Sequence, residues 1–360
     1  MSGDPQGAVA ALDPGWERLA LAPPRAVESV IARARLRSTP EDFQVDEQLG
    51  FEPSGAGEHL LLRVRKCGAN TGWVARELAT RAGARQFEVG YAGLKDRNAV
   101  TTQWFTVPRR KRAPEDWQGV HGEGWQVLEA HAHARKLPRG ALAGNRFRIV
   151  LRDVIGDRAV LESRLATLAR EGVPNYFGPQ RFGRGLSNLR ALLPGAPPQR
   201  EIGFAVSAAR SLIFNAVLAE RIAQGSWNRL FVAERANLDG RNSSFVVETV
   251  DATLEARLAE FDVHPTGPMW GEGESGVEGV VNDLEQHVAT RFADAIEFVT
   301  AARVEFARRP LRVAVREFEW AWLDADALQL SFALRAGSFA TAVIRELLDS
   351  GGEVLEDEHA

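Results

Sequence analysis

Cysteine is almost absent from this sequence, and its scarcity excludes intramolecular disulfides and metal clusters bound by thiolates. The 360 residues contain one cysteine, Cys67. A single thiol can form neither an intramolecular disulfide nor a thiolate metal cluster. Because such links are missing, we expect a cytoplasmic protein without a metal site.

Long hydrophobic runs are absent as well. The sequence has no stretch of 18 apolar residues, and the first 30 residues carry four acidic side chains without an apolar run of signal length. We therefore expect a protein that is neither secreted nor membrane-spanning. A Gly-rich loop followed by Lys-Ser or Lys-Thr is also missing, which argues against nucleoside triphosphate chemistry.

Positive charge is slightly outnumbered overall, with 44 Lys or Arg against 48 Asp or Glu, and it is unevenly distributed. The net charge is −4, which at first argues against a nucleic-acid partner. However, residues 1–200 carry 30 Lys or Arg against 21 Asp or Glu, a net of +9, and residues 201–360 carry 14 against 27, a net of −13. A charge dipole of this kind is compatible with one basic surface that meets a polyanion.

One stretch in the basic half stands out, from Gly90 to Val107. Its two ends, Phe87–Tyr91 and Gln103–Val107, alternate as strands do, and the residues between them include Lys95-Asp96-Arg97. A carboxylate between two cations has its ionised form favoured if either cation stays close, which suits a nucleophile or an electrostatic stabiliser. A solvated turn between two strands is the structural alternative, because Gly, Asn and Asp are ordinary turn residues.

Five short motifs, in this order along the chain, closely resemble those of the TruD family of tRNA pseudouridine synthases. They are Pro40-Glu41-Asp42-Phe43-Gln44-Val45-Asp46-Glu47, Gly93-Leu94-Lys95-Asp96-Arg97 with Ala99, Thr101 and Gln103, Gly144-Asn145-Arg146-Phe147, Pro174-Asn175-Tyr176-Phe177-Gly178-Pro179-Gln180-Arg181-Phe182-Gly183, and Ala336-Gly337-Ser338-Phe339-Ala340-Thr341. Together they span residues 37 to about 350. The resemblance implies isomerisation of uridine at position 13 of tRNA, without a cofactor, by a protein that we expect to be a monomer without a protein partner.

The resemblance also implies a set of site residues. Asp96 matches the catalytic carboxylate of the family, and Arg37 matches a basic position that would hold Asp96 ionised. The substrate-binding positions are matched by Phe43, Asn145, Phe147 and Phe339. An enzyme of this kind must take its uridine out of the RNA stack and hold it against planar or apolar side chains.

Each of these residues also has a structural interpretation. A Phe in an alternating strand, such as Phe43 or Phe147, is far more often a core residue. Lys95 is adjacent to Asp96, but successive strand residues point to opposite faces, so adjacency does not make it the partner of Asp96. The run Arg109–Arg112 is either a solvated loop or a phosphate contact.

The alternation of patterns predicts an α+β fold. Strands with intervening helices fill residues 36 to 170, a helix-rich segment follows, and strands return after Pro310. We therefore predict a mixed or antiparallel-sheet pseudouridine synthase catalytic domain, 36–170 plus 313–352, interrupted by a largely helical α+β insertion domain at 171–312. Residues 1–35 are predicted to be an N-terminal extension with a short helix at 27–34. Residues 267–279 are expected to form a loop.

Two other functions are compatible with the sequence. A glycoside or nucleoside hydrolase would need a second carboxylate, for which Glu41, Asp46 and Glu47 are candidates. A noncatalytic RNA-binding protein would need only the basic first half of the chain, and its binding would survive the loss of Asp96.

Overall fold

The computed structural model describes residues 11–27, 31–193 and 202–349. The parts of the predicted domains at 1–10, 28–30, 194–201 and 350–352 lie outside the described residues. The chain divides into two units, which we call the sheet unit (31–169 and 315–349) and the helical unit (11–27, 170–193 and 202–314). The assignment of the two as catalytic domain and insertion domain stays a prediction.

The helices and strands of the described residues are numbered in chain order. The helices are α1 (Pro14–Leu21), α2 (Thr71–Ala82), α3 (Arg158–Glu171), α4 (Ser187–Arg190), α5 (Ile202–Ala223), α6 (Ala252–Ala259), α7 (Gly279–Thr290), α8 (Ala293–Ala301) and α9 (Ala340–Arg345). The strands are β1 (Ala32–Leu36), β2 (Phe43–Gln48), β3 (His59–Lys66), β4 (Gly90–Tyr91), β5 (Val100–Pro108), β6 (His121–Gly122), β7 (Trp125–His133), β8 (Gly144–Gly156), β9 (Val173–Pro174), β10 (Arg235–Leu238), β11 (Ser244–Val246), β12 (Val263–Met269), β13 (Ala307–Pro310), β14 (Arg312–Val313), β15 (Arg316–Trp322) and β16 (Leu328–Arg335).

The sheet unit is built on one mixed sheet. Its strand order is β15-β16-β8-β2-β5-β3-β7-β6, with β1 also paired to β8 and β4 to β5. The strands pair antiparallel except for β2 and β5, which run parallel. Because of this parallel pair, the motif on β2 and the loop that precedes β5 lie at neighbouring positions in the sheet.

Helix α2 covers one face of the sheet. Its Val74 and Leu78 pack with Leu62 and Val64 of β3 and with Phe105 of β5 in one buried cluster. Side chains two residues apart on a strand share a face. We call this side of the sheet the α2 face.

The helical unit has a core of its own around α5. The core cluster contains side chains of α5 such as Phe214 together with Phe177 and Phe182 of the Pro174–Gly183 motif. The side chain of Asn215 fixes this motif, since it accepts a hydrogen bond from the Phe177 N–H at 2.9 Å and donates one to the Phe177 carbonyl at 3.0 Å. Helix α5 is long and apolar enough to cross a membrane, yet 67% of its most apolar window is buried inside the protein.

Two small sheets complete the helical unit. One has the order β11-β10-β12-β13, and the other pairs β14 with β9. In the second, Arg312 lies opposite Pro174 and Val313 opposite Val173, so the first and last strands of the unit's 170–314 segment are joined.

Three local predictions differ from the structure. The segment predicted as a helix at 27–34 contains the start of β1 at Ala32, because β1 pairs with β8 and this pairing overrides the local helical pattern. Within the predicted 267–279 loop, residues 267–269 belong to β12; a Cβ on Gly267 would come within 2.7 Å of the Leu311 side chain, so close packing requires glycine there. Residues 11–27 of the predicted extension belong to the helical unit, where Leu12 and Ala20 join the core.

Candidate active site

The Lys95-Asp96-Arg97 loop connects β4 to β5 and is fixed from several sides. The Lys95 N–H donates to the hydroxyl of Thr71, the first residue of α2, at 3.0 Å, and that hydroxyl donates to the Gln103 side chain at 3.1 Å. The Gln103 amide in turn donates to the Gly93 carbonyl. On the other side of the loop, the Asp96 carboxylate accepts the Asn98 N–H at 2.8 Å. These hydrogen bonds hold the loop in one conformation, which a solvated turn would not require.

Arg37 is brought to Asp96, as the resemblance implied. Its Nη1 lies 3.1 Å from Oδ2 of Asp96, and the two side chains are 17% and 9% exposed. The guanidinium carbon is also 4.3 Å from the centroid of the Phe43 ring. Arg37 has a φ of 59°, a left-handed conformation that is uncommon outside glycine and that costs backbone energy. The strain is held at the residue that pairs with the carboxylate.

Phe43, Phe147 and Asn145 lie on the α2 face, and Phe43 lies beside this pair. In the antiparallel pairing of β2 with β8, Phe147 is opposite Val45 and Asn145 is opposite Glu47, and directly opposed residues share a face. The Phe147 ring lies 6.3 Å from that of Phe43 and 5.3 Å from that of Phe332 on β16. Phe43 and Phe147 are 4% and 6% exposed, so they belong to the core and border the site at once.

Phe339 is placed by a different element. It is the N-cap residue of α9 and is half-buried. It follows β16, whose Leu334 is the cross-strand partner of Asn145. The sheet register thus places Phe43, Phe147 and Asn145 on one face of two adjacent strands. Phe339 lies on the segment after β16, five residues beyond Leu334.

The Lys95 side chain does not pair with Asp96. Its Nζ lies 2.9 Å from Oε2 of Glu47, whose side chain is completely buried. Burial raises the pKa of Glu47, while the Lys95 charge acts in the opposite direction. The ion pair occupies the buried Glu47 carboxylate and attaches the Asp96 loop to β2.

A buried lysine that was not predicted as a site residue completes the arrangement. Lys66, at the end of β3, is 1% exposed and donates to the carbonyls of Lys95 at 3.1 Å and Asp96 at 2.8 Å. Burial lowers the pKa of Lys66 to about 8, and the Asp96 charge partly offsets the shift. The sequence signal was its position two residues after Val64, where a lysine continues an apolar strand face.

The carboxylates do not form the matched pair that glycoside hydrolysis requires. Glu47 is closed in its ion pair, and Asp46, the next residue back, alternates to the opposite face, where it pairs with Arg63 at 2.8 Å. Glu41 is exposed in the short 3-10 helix Pro40–Asp42 that precedes β2. At this site, Asp96 is the carboxylate that lies beside both a cation, Arg37, and the Phe43 ring on which that cation packs.

Comparisons with known proteins find one family over nearly the whole chain. The family model described as tRNA pseudouridine synthase D (TruD) matches residues 27–191 and 199–347. The tRNA pseudouridine synthase D of Methylococcus capsulatus is 45% identical over 342 residues, which are 93% of this chain and 96% of that protein. The protein of the same name from Nitrosococcus oceani is 46% identical and is covered to 91%, with 88% of this chain.

A solved structure of similar fold is also found. The crystal structure of a TruD protein from Methanosarcina mazei superimposes with a TM-score of 0.74, covering 94% of this chain and 98% of that one at 21% identity. This confirms the predicted α+β fold. The match of the family model to nearly the whole chain and the identities above 40% show that the chain belongs to the TruD family of tRNA pseudouridine synthases.

Proposed function

We propose that this protein is a tRNA pseudouridine synthase that isomerises uridine at position 13 of tRNA, with Asp96 as the carboxylate that acts on the ribose. The observation that carries the assignment of Asp96 is its ion pair with Arg37, inside a fixed loop and beside the Phe43 and Phe147 rings. We also propose that it acts as a monomer in the cytoplasm and needs no cofactor.

The reaction needs one carboxylate because its leaving group stays in the site. The bond from C1′ to N1 of uracil breaks, the uracil turns over, and C5 forms the new bond to C1′. Asp96 acts as a nucleophile at C1′ or as a base toward a ribose proton; both roles require an anion, and Arg37 lies within ion-pair distance of this carboxylate.

The aromatic side chains and Asn145 suit the binding of an extruded base. A uridine removed from the RNA stack is held by stacking and by hydrogen bonds to its edges, and Asn145 carries both a donor and an acceptor. Phe147 has no hydroxyl, so the proton that leaves C5 passes to water or to another group.

The assignment is tested by removing the charge of Asp96 without changing its shape. Wild type and Asp96→Asn are incubated with unmodified tRNA and no cofactor, and pseudouridine is mapped by carbodiimide labelling and primer extension. Asp46→Asn is the matched control, because Asp46 lies on the opposite face of the same sheet. We expect pseudouridine at position 13 with the wild type and the control, and none with Asp96→Asn.

Two results would contradict the proposal, and each points to one rival. Release of free uracil by the wild type would indicate a hydrolase. Binding of tRNA that survives Asp96→Asn, with no modified uridine from the wild type in any tRNA offered, would indicate a noncatalytic RNA-binding protein.

A further inference from the structure

The end of β3 carries a buried ammonium group directly beneath the Asp96 loop. Leu60, Leu62 and Val64 face the apolar cluster under α2, and Lys66 continues the same face. Taking a lysine out of water is costly, and a position on a core face is ordinarily filled by an apolar side chain. Core packing therefore does not explain a lysine at this position, and its hydrogen bonds to the Asp96 loop are the alternative explanation.

Those contacts fall on both sides of the Asp96 α-carbon. The carbonyls of Lys95 and Asp96 accept from Nζ of Lys66, which fixes the orientation of the peptide groups that flank the carboxylate residue. The next turn of the chain adds a reciprocal clamp: the Gly68 N–H donates to the Arg97 carbonyl, and the Arg97 side chain donates to the Gly68 carbonyl, both at 3.0 Å.

The charges around the loop reinforce this arrangement. Arg37 faces the Asp96 carboxylate, and Lys95 is neutralised by Glu47. The groups whose charge acts on Lys66 are Asp96, Lys95 and Cys67, and of these Asp96 is the strongest attraction. The ammonium of Lys66 is thus a second cation near Asp96, acting from beneath the loop.

We propose that Lys66 is a positioning residue for Asp96: its charged ammonium holds the two flanking carbonyls and thereby fixes the direction of the carboxylate toward the ribose. The inference rests on the proposed function and assigns Lys66 no contact with the RNA. It distinguishes Lys66 from the remaining lysines as the one whose protonation state matters for the reaction.

Three substitutions separate the parts of this role. Lys66→Met removes both the donor and the charge, Lys66→Gln keeps a donor without the charge, and Lys66→Arg keeps both, since guanidinium stays protonated throughout the working range. Single-turnover rates with unmodified tRNA are measured from pH 6 to pH 10. Cys67→Ser is the control for the neighbouring thiol.

The expected results differ from those of a merely structural residue. For Lys66→Met the single-turnover rate falls by about 10²-fold, with the half-saturating concentration changed less than about threefold, because a carboxylate misplaced by an ångström loses a factor of that size. The wild-type rate declines above the pKa of about 8, and the decline persists in Cys67→Ser. In Lys66→Arg the decline moves upward by at least about one pH unit, since the pKa of arginine is far higher.

Amide hydrogen exchange tests the role of Lys66 independently of activity. Amide hydrogen exchange over residues 93–99 should accelerate in Lys66→Met and less so in Lys66→Gln, while exchange in the helical unit stays unchanged. A wild type that makes no pseudouridine overturns the proposed function, whereas the exchange data still test Lys66. Unchanged exchange in Lys66→Met, or an active wild type whose pH profile is the same in Lys66→Arg, overturns the role of Lys66.

Discussion

The lowered pKa of Lys66 predicts a stability that depends on pH in a defined window. The folded chain gives up the Lys66 proton at about 8, against 10.5 for an ordinary lysine. Between these values the unfolded chain binds the proton and the folded chain does not, so raising the pH stabilises the folded state. Below pH 8 both states are protonated, and the cost of burying the charge is fully present.

The difference of roughly 2.5 pH units corresponds to on the order of 3 kcal/mol, at about 1.4 kcal/mol for each unit. Lys66→Met carries no charge, so other titrating groups cancel when the two proteins are compared at each pH. We expect the wild type to gain about 2.5 kcal/mol relative to Lys66→Met between pH 7 and pH 10, because the rest of the gain comes above about pH 10. For a unit of this size that is about 5–10 °C in Tm.

Thermal unfolding of both proteins at pH 7, 8, 9 and 10 measures this gain. Lys111→Met is the matched control, because Lys111 is an exposed lysine of the same sheet unit. Its Tm difference from the wild type should stay nearly constant. If the difference between the wild type and Lys66→Met also stays constant, Lys66 has an ordinary pKa in the folded protein and the argument from burial is refuted.

Two further predictions concern charges elsewhere in the sheet unit. Glu47→Ala leaves Lys95 partly buried without its counter-ion and should therefore lower the free energy of unfolding by about 3–5 kcal/mol, measured by chemical denaturation. Glu47→Gln should lose less stability than Glu47→Ala. A loss below about 1 kcal/mol in Glu47→Ala would show that the ion pair does not hold the loop. If the Arg109–Arg112 run binds phosphate, replacing it with glutamines should reduce the slope of log K for tRNA against log salt by about 0.7–0.9 for each phosphate that is no longer neutralised, whereas an unchanged slope would leave the run as a solvated loop.

Local patterns were sufficient to predict much of the sheet unit. The alternation at Phe43–Val45, at Leu60–Lys66 and at Phe147–Leu151 is typical of strands and corresponds to β2, β3 and β8. Helix α2 begins directly after Asn70 and ends directly before Gly83, two residues typical of helix caps. These signals are local because a strand's alternation and a helix's caps are contained within a few residues.

The partners of the site residues were harder to predict, because they depend on register between distant strands. The resemblance suggested Arg37 for Asp96, and Lys95 is not the partner of Asp96, although the two residues lie in a loop and not in the strand that the alternation argument assumed. Nothing local indicates that Lys95 meets Glu47, since this requires the parallel pairing of β2 with β5. The misplaced helix at 27–34 has the same origin, because only the pairing with β8 makes residues 32–36 a strand.

The short β9–β14 pair has a consequence for the order of folding. Strands β8 and β16 pair directly although the entire 170–314 segment of the helical unit lies between them in the sequence. Bringing together two points about 140 residues apart carries a length-dependent entropy cost of about 4 kcal/mol. By pairing Val173 with Val313, the helical unit brings its first and last strands together through its own contacts. Strands β15 and β16, which are synthesised late, can then join β8 as if across a short connection. The loop that must close when they pair is therefore much shorter than the sequence separation of β8 and β16, which favours faster folding.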